Sequence, residues 1–258
     1  MQIKDKVIVV TGAASGIGKG LAERFRAEGA KGLALADMDA DGVRAVADDL
    51  GAMAMPCDVG DEVQIQALVH EAERQLGPVD IFCSNAGILR EGDEDQPDKE
   101  ILDSFQINTM SHVYAARAVA PGMAERGSGY LLNTSSAAGL LIQVDSAAYT
   151  ISKHAAIGLA EFLSAKYSPM GVKVSVLCPQ GVYSGMTTGR EGRPAAADGM
   201  LTPADVAEAV VQGMDQEKFL ILPHEIVHEY MRRKADDRDR WLRGMARVRE
   251  SLFAAEAQ

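Results

Sequence analysis

Apolar residues recur along this chain in short runs separated by longer amphipathic stretches. Runs near 6–11, 32–37, 52–57, 79–84, 129–135, 173–178 and 218–222 are rich in Val, Ile, Leu and Ala. Apolar runs of this length, bounded by turn-forming residues, predict strands buried on both faces. Between them apolar positions fall every three or four residues, as in Ile17, Leu21 and Phe25 set against Lys19, Glu23, Arg24 and Glu28. That spacing lays one apolar stripe along a helix. Helices are predicted over 61–76, 100–125, 149–168 and 203–213, with a long one over 224–253. Strand and helix in alternation predict an α/β, doubly wound fold, with a seven-stranded parallel sheet and helices on both faces. Such a sheet binds ligands at the carboxyl ends of its strands.

The first strand runs into T-G-A-A-S-G-I-G, which sets Gly12, Gly16 and Gly18 in the turn before a helix. A glycine-rich turn there lets backbone N–H groups approach a pyrophosphate at the helix N-terminus. The spacing is G-x-x-x-G-x-G rather than the usual G-x-G-x-x-G, and three glycines alone are also consistent with a plain tight turn. The second strand ends at Asp37, about 20 residues on, where a ribose-binding acid is expected. A carboxylate accepts hydrogen bonds from ribose hydroxyls and repels a 2′-phosphate. Ala13 to Ser15 and Met38 to Asp41 contain no Lys or Arg to neutralise that phosphate, so NAD is expected over NADP. The same aspartate could instead simply open the turn D-M-D-A-D-G.

Tyr149 and Lys153 stand four apart in Y-T-I-S-K, with Ser136 upstream in N-T-S-S-A-A-G. On a helix, positions i and i+4 share a face. An ordinary tyrosine keeps its proton to about pH 10, and a fixed cation beside it favours the phenolate. A tyrosine so tuned exchanges a proton with an alcohol or ketone.

With these motifs in order, the chain resembles the short-chain dehydrogenase/reductase family from about residue 5 to about residue 223. Further support comes from Asp58-Val59, Ser84-Asn85-Ala86-Gly87 and Asn108. The resemblance implies a Rossmann-type sheet and an NAD-dependent oxidoreductase interconverting a secondary alcohol and a ketone. Tyr149 would be the general acid/base, Lys153 would bind the nicotinamide ribose and depress the tyrosine pKa, and Ser136 would orient the substrate oxygen. Asn108 would hold a water in a relay through Lys153. The cofactor would lie against Gly12, Ser15, Gly16, Ile17, Gly18, Asp37, Asp58, Val59, Asn85, Ala86, Gly87, Pro179, Val182 and Ser184, besides Tyr149 and Lys153. One departure stands out: the family pattern P-G-x-V-x-T reads Pro179-Gln180-Gly181-Val182-Tyr183-Ser184 here. Gln180 in place of glycine narrows the backbone options, and Gly181 could compensate. Substrate contacts are implied in 88–95, in Ala137 to Ala148 with Leu140, Leu141, Ile142 and Val144, and in the loop at about 183–202. The apolar members suit a hydrophobic substrate or ordinary packing. The family also implies a homotetramer through the helices around 100–122 and 149–168.

The chain has 258 residues, 47% of them hydrophobic, and no linker-like run, so one dinucleotide-binding catalytic domain over 1–258 is expected, with a helical extension over 224–253 that could cover the pocket. A net charge of −11 argues against nucleic acid or an anionic membrane as partner. Cys57, Cys83 and Cys178 show no pairing pattern and read as buried, inert thiols. No signal peptide or apolar span is present, so a cytoplasmic location is expected. Arg190 and Arg193 are candidates for an anionic substrate, or solvated loop charges. His224-Glu225-Ile226-Val227-His228 matches H-E-x-x-H, a zinc pattern when both histidines share a helix face. No third ligand presents itself, and no metal is expected; the histidines read instead as a helix start near the surface or a subunit contact. The alternative function is a non-catalytic nucleotide sensor or scaffold of the same fold, which has no need of the whole Asn108, Ser136, Tyr149 and Lys153 set.

Overall fold

The computed structural model describes residues 1–189 and 192–256. β1 (Val7–Thr11) is buried along its whole length, and its two faces feed two cores. Val7 and Val9 pack in one with Ile65, Leu68, Val119, Met123 and Leu163. Ile8 and Val10 pack in the other with Leu21, Phe25, Val43, Val206 and Val210. This is the period of two expected of a strand covered on both sides. The remaining strands are β2 (Gly32–Asp37), β3 (Met53–Pro56), β4 (Ile81–Ser84), β5 (Gly129–Thr134), β6 (Val172–Leu177) and β7 (Leu220–Ile221). All pair in parallel in the order β3-β2-β1-β4-β5-β6-β7. The seven predicted strands are all present, with ends within two residues of those predicted. The winding direction reverses between β1 and β4, which opens a crevice at their carboxyl ends.

The helices are α1 (Gly16–Ala27), α2 (Ala40–Leu50), α3 (Glu62–Leu76), α4 (Asp98–Phe105), α5 (Ser111–Glu125), α6 (Ala137–Leu140), α7 (Ala147–Tyr167), α8 (Pro203–Asp215), α9 (Ile226–Asp236) and α10 (Arg238–Glu256). Two expected helices differ in a way that bears on the site. The one predicted over 100–125 is α4 and α5 joined by a π-helical turn, Gln106–Met110. Its Asn108 side chain reaches out of the helix, accepting from Ile88 N (2.9 Å) and donating to Ile88 O (2.9 Å) and Ser152 Oγ (3.1 Å). Those long-range bonds account for the wide turn, a form common at functional sites. The helix predicted over 224–253 starts later, at Ile226, and breaks at Asp237, whose backbone is extended. The Asp237 carboxylate then accepts from Arg240 N (2.9 Å), as a capping aspartate does. Among the described residues no helix is long and apolar enough to cross a membrane.

One turn beyond Asn108, His112 is buried, and that burial, with Lys153 adding to it, pushes its pKa down to about 3. An unfolded histidine titrates near 6.5, so between those values the unfolded chain binds a proton that the native one refuses. Stability is therefore present above pH 6.5 and lost as pH falls, at up to roughly 1.4 kcal/mol per pH unit. Between pH 6.5 and 4.5 we expect the wild type to lose about 2 kcal/mol more than His112→Leu in urea melts; parallel losses would exclude this histidine as the cause.

Candidate functional site

The crevice between β1 and β4 widens into a cavity of about 1950 Å³ that extends under α10. A small-molecule pocket typically measures about 300–1,000 Å³, so there is room for a dinucleotide and a second molecule together.

At one end lies the glycine turn. Gly12 has φ +67°, and a Cβ there would sit 2.8 Å from Ala86 Cα. A Cβ on Gly18 would run into the Gly12 carbonyl oxygen and lie 2.8 Å from Asn85 Nδ2. Gly18 itself is not in the cavity wall; it lets the turn fold tightly enough for Gly12, Ser15, Gly16 and Ile17 to form it. Ser15 precedes α1 without capping it, and the first turn carries no acid. By contrast, Asp39 caps α2 and Asp61 caps α3. The leading N–H groups of α1 are thus left without a side-chain cap, which fits an anion at that end. Thr11, which the sequence reading passed over, ties the base of the site together. Its hydroxyl accepts from Asn85 N (3.0 Å) and Ala86 N (3.2 Å), drawing the segment after β4 against the end of β1.

Asp37 closes this end. Its carboxylate accepts from Ala14 N (3.0 Å) and Asp39 N (3.1 Å), so it opens the following turn and also lines the cavity. Met38, Asp58, Val59 and Asp61 line the wall beside it, and no lysine or arginine lines the stretch from Asp37 to Asp61.

At the centre lie Ser136, Tyr149 and Lys153, from two segments that tertiary structure brings together. Ser146 caps α7 by accepting from Tyr149 N (3.1 Å), and it also donates to Arg90 O, which fixes the first turn and with it the Tyr149–Lys153 face. Ser136 caps α6, accepting from Ala138 N (3.1 Å). α6 can lie against α7 because Gly139 has no side chain: a Cβ there would strike Lys153 O and approach Ser135 Oγ to 2.7 Å. Lys153 Nζ donates to Thr134 O (3.1 Å) and sits 5.5 Å from the centre of the Tyr149 ring. Gly87 leaves room beside it, since a Cβ there would lie 3.3 Å from that Nζ and 3.0 Å from Asn108 Oδ1. Asn108 does not line the cavity; it pins Ile88 and α7 from behind.

The expected depression of the tyrosine pKa is not found in the protein alone. Burial pushes Tyr149 up to about 12, opposed by the Ser136 hydroxyl beside it. Burial also lowers Lys153 to about 8. Desolvation disfavours both charged forms, and the ammonium lies over the ring face rather than at the oxygen.

Pro179, Val182 and Ser184 line the next stretch, with Gln180 and Gly181 between them. Gln180 is not among the residues with positive φ, so it carries none of the strain anticipated there. The glycine matters at 181 for space: a Cβ would strike Met200 Sδ and come within 3.0 Å of Ala195 O. Gln180 N donates to His224 Nδ1 (3.2 Å), which places His224 inside, ahead of α9, and not near the surface. His228 is exposed on α9, so the two histidines share no helix face. Among the described residues no group of three or more His, Cys, Asp or Glu could hold a metal. The three cysteines are buried and free, and burial raises each thiol.

The far end is roofed by the C-terminal helices. Leu141, Ile142 and Val144 line the cavity floor, while Leu140 packs in the core. Tyr230, Trp241, Met245, Val248 and Leu252 face them from α9 and α10. Leu242 is half exposed, and Met231 packs against the small cluster of Ala137, Leu141 and Val227. Lys234 Nζ donates to Leu140 O (2.7 Å) and Leu141 O (2.8 Å), and Arg249 holds Asp93 with two bonds of 2.6 and 2.7 Å. Tyr230 OH and Gln180 Nε2 both donate to Asp198 (2.9 and 3.2 Å), tying α9 to the 183–202 loop. Arg193 is not a solvated charge: it pairs with Glu91 at 3.0 Å and lies 3.8 Å from buried Asp145. Arg190 lies outside the described residues.

A doubly wound parallel sheet with a glycine cradle at its switch point and a buried Tyr–Lys–Ser cluster beside it defines a nucleotide-binding oxidoreductase architecture. The chain belongs to the short-chain dehydrogenase/reductase family: the short chain dehydrogenase model matches residues 6–194. It is 36% identical over 249 residues to 1-deoxy-11-beta-hydroxypentalenate dehydrogenase from Streptomyces exfoliatus, covering 92% of this chain and 90% of that one. A short-chain dehydrogenase/reductase from Burkholderia phymatum, solved in complex with NAD, superposes with a TM-score of 0.85 at 29% identity, over 93% of this chain and 96% of that one. Levodione reductase superposes with a TM-score of 0.79 at 25% identity, over 85% and 96% respectively.

Proposed function

We propose that this oxidoreductase transfers hydride between NAD and a hydrophobic secondary alcohol or ketone. The observation that carries the reading is the meeting of Ser136, Tyr149 and Lys153 in one cavity with the uncapped start of α1. NAD would be held by the backbone around Gly12 to Ile17, by Asp37, Asp58 and Val59, by Asn85 to Gly87, and by Lys153, Pro179, Val182 and Ser184. When bound, it supplies the hydride acceptor or donor. In oxidation the Tyr149 phenolate takes the hydroxyl proton, Ser136 holds the substrate oxygen, and Lys153 would hold the nicotinamide ribose and favour the phenolate by its positive charge. Asn108 keeps α7 and the segment after β4 in register behind them. The NAD complex of the Burkholderia relative and the dehydrogenase and reductase names of the others support this type of reaction. The Streptomyces relative is named for a hydroxypentalenate, a hydroxylated carboxylate, and we carry the hydroxyl over to this chain. We also read the working form as a tetramer, on exposed Leu102, Ile151 and Phe162 along α4 and α7.

The test is a panel of cyclic, aryl and terpenoid secondary alcohols with NAD⁺ or NADP⁺, followed by absorbance of the reduced cofactor. Turnover with NAD⁺ supports the reading; NADH binding without turnover of any alcohol or of the matching ketones would favour a sensor. Gly18→Ala probes the cradle separately. Its Cβ has no room, so we expect a loss of about 1–3 kcal/mol in stability and NADH affinity lowered at least about tenfold. Unchanged fluorescence titration with NADH would remove the cradle from the reading.

A further inference from the structure

The cavity is roofed by α10, and that roof carries charge that the rest of the protein leaves unused. Among the described residues the arginines with neither a carboxylate nor a hydrogen-bond acceptor in reach of the guanidinium are Arg238, Arg240, Arg243 and Arg247, all on α10. Arg240 and Arg247 line the cavity; Arg238 and Arg243 do not. The other cations of the wall are engaged. Arg90 pairs with Asp103, Arg193 with Glu91, Arg233 with Glu229, and Lys153 with Thr134 O. In a chain of net charge −11, both guanidiniums stand exposed at the rim of the cavity without a carboxylate partner. Of the neighbouring acids on the wall, Asp237 caps α10 and Asp198 accepts from Tyr230 and Gln180, while Asp236 also lines it without pairing with either guanidinium.

Arg240 and Arg247 are seven residues apart, two helical turns, so they project from nearly one face with Gly244 between them. A Cβ at Gly244 would meet nothing but Arg247 Nη2, at 3.9 Å, which shows the Arg247 head folded back over the gap toward Arg240. The adjoining stripe of the same helix is apolar, with Trp241, Met245 and Val248 facing Leu141 and Val144. An apolar floor and roof with a two-guanidinium rim match a ligand with an apolar body and one anionic end. Guanidinium forks bind carboxylates with paired hydrogen bonds, and at an exposed rim salt screens that attraction.

We propose that the substrate is a hydrophobic hydroxy or keto acid whose carboxylate is held by Arg240 and Arg247 while its carbinol or carbonyl lies at Ser136 and Tyr149. This rests on the oxidoreductase reading above and specifies its substrate. The two arginines are specificity determinants and take no part in the proton transfer.

The test is calorimetric titration of decanoate and of decan-1-ol into protein already saturated with NADH, at low salt and at 0.5 M salt. The wild type is expected to bind the acid at least about tenfold more tightly than the alcohol at low salt, with the difference shrinking as salt rises. R240Q/R247Q is expected to bring the two ligands to parity with NADH affinity unchanged. R238Q/R243Q removes the same charge from the same helix outside the cavity and is expected to keep the preference. Equal binding of acid and alcohol by the wild type, no binding of either, or a preference that survives R240Q/R247Q would overturn the proposal. Failure of the underlying reading shows separately, as NADH that does not bind in the first titration.

Discussion

Tyr149→Phe is expected to lower turnover of any substrate by about 10²–10⁴-fold while leaving NADH affinity within about twofold. The substitution removes one oxygen from a buried, well-packed ring, and neither the Ser146 cap nor the Lys153–Thr134 bond depends on that oxygen. What disappears is the group that exchanges the proton. The pKa directions add a second readout. In oxidation the phenol must begin deprotonated, yet burial holds Tyr149 up near 12 and Lys153 down near 8. The rate of oxidation should therefore climb with pH through 7 and 8 without a neutral plateau, because deprotonation supplies the active form. Lys153→Met should lower the rate of oxidation, most below pH 8, where the ammonium that favours the phenolate is present. Substantial turnover by the Phe variant would sink the proposed mechanism, and loss of NADH binding along with turnover would make the tyrosine structural.

Asp37→Asn is expected to collapse the preference for NAD over NADP by about 10–100-fold, the magnitude of losing hydrogen bonds to a charged group and gaining relief from a like charge. Asparagine keeps an oxygen for one of the two backbone donors, Ala14 N and Asp39 N, so the turn is preserved better than with alanine. Met38 is 70% exposed and lines the cavity beside Asp37, which makes it the place to add a cation. D37N/M38R should then favour NADP outright. The measurement is kcat/KM for both cofactors at a fixed alcohol concentration. A wild type that already favours NADP⁺ would overturn the reading of Asp37.

Much of the site could be read from the chain because it depends on local geometry. Tyr149 and Lys153 are neighbours on any helix, Asp37 ends any second strand of this winding, and Gly12, Gly16 and Gly18 belong to one turn. Positions set by contacts between distant segments were not legible in this way. Nothing in the spacing of Asn108 says that its amide would grip Ile88 and Ser152 and widen the helix into a π turn. The role of Gly139 exists only because α6 meets Lys153 O, and that of Gly181 only because Met200 folds over it. Gln180 looked like a defect in isolation; its backbone is ordinary, and its donors found His224 and Asp198.

The sequence by itself determined the order of strands and helices, the glycine turn and the candidates proposed as reacting groups, because helix and strand periods convert spacing directly into facing. Tertiary structure alone decided the electrostatics. Burial raised Tyr149 and lowered Lys153 and His112, and desolvation depends on everything packed around a group rather than on its neighbours in the chain. It also decided which charges were spent and which remained. Arg193 and Arg240 are alike as letters, but Glu91 lies beside the first, and the second faces an open cavity.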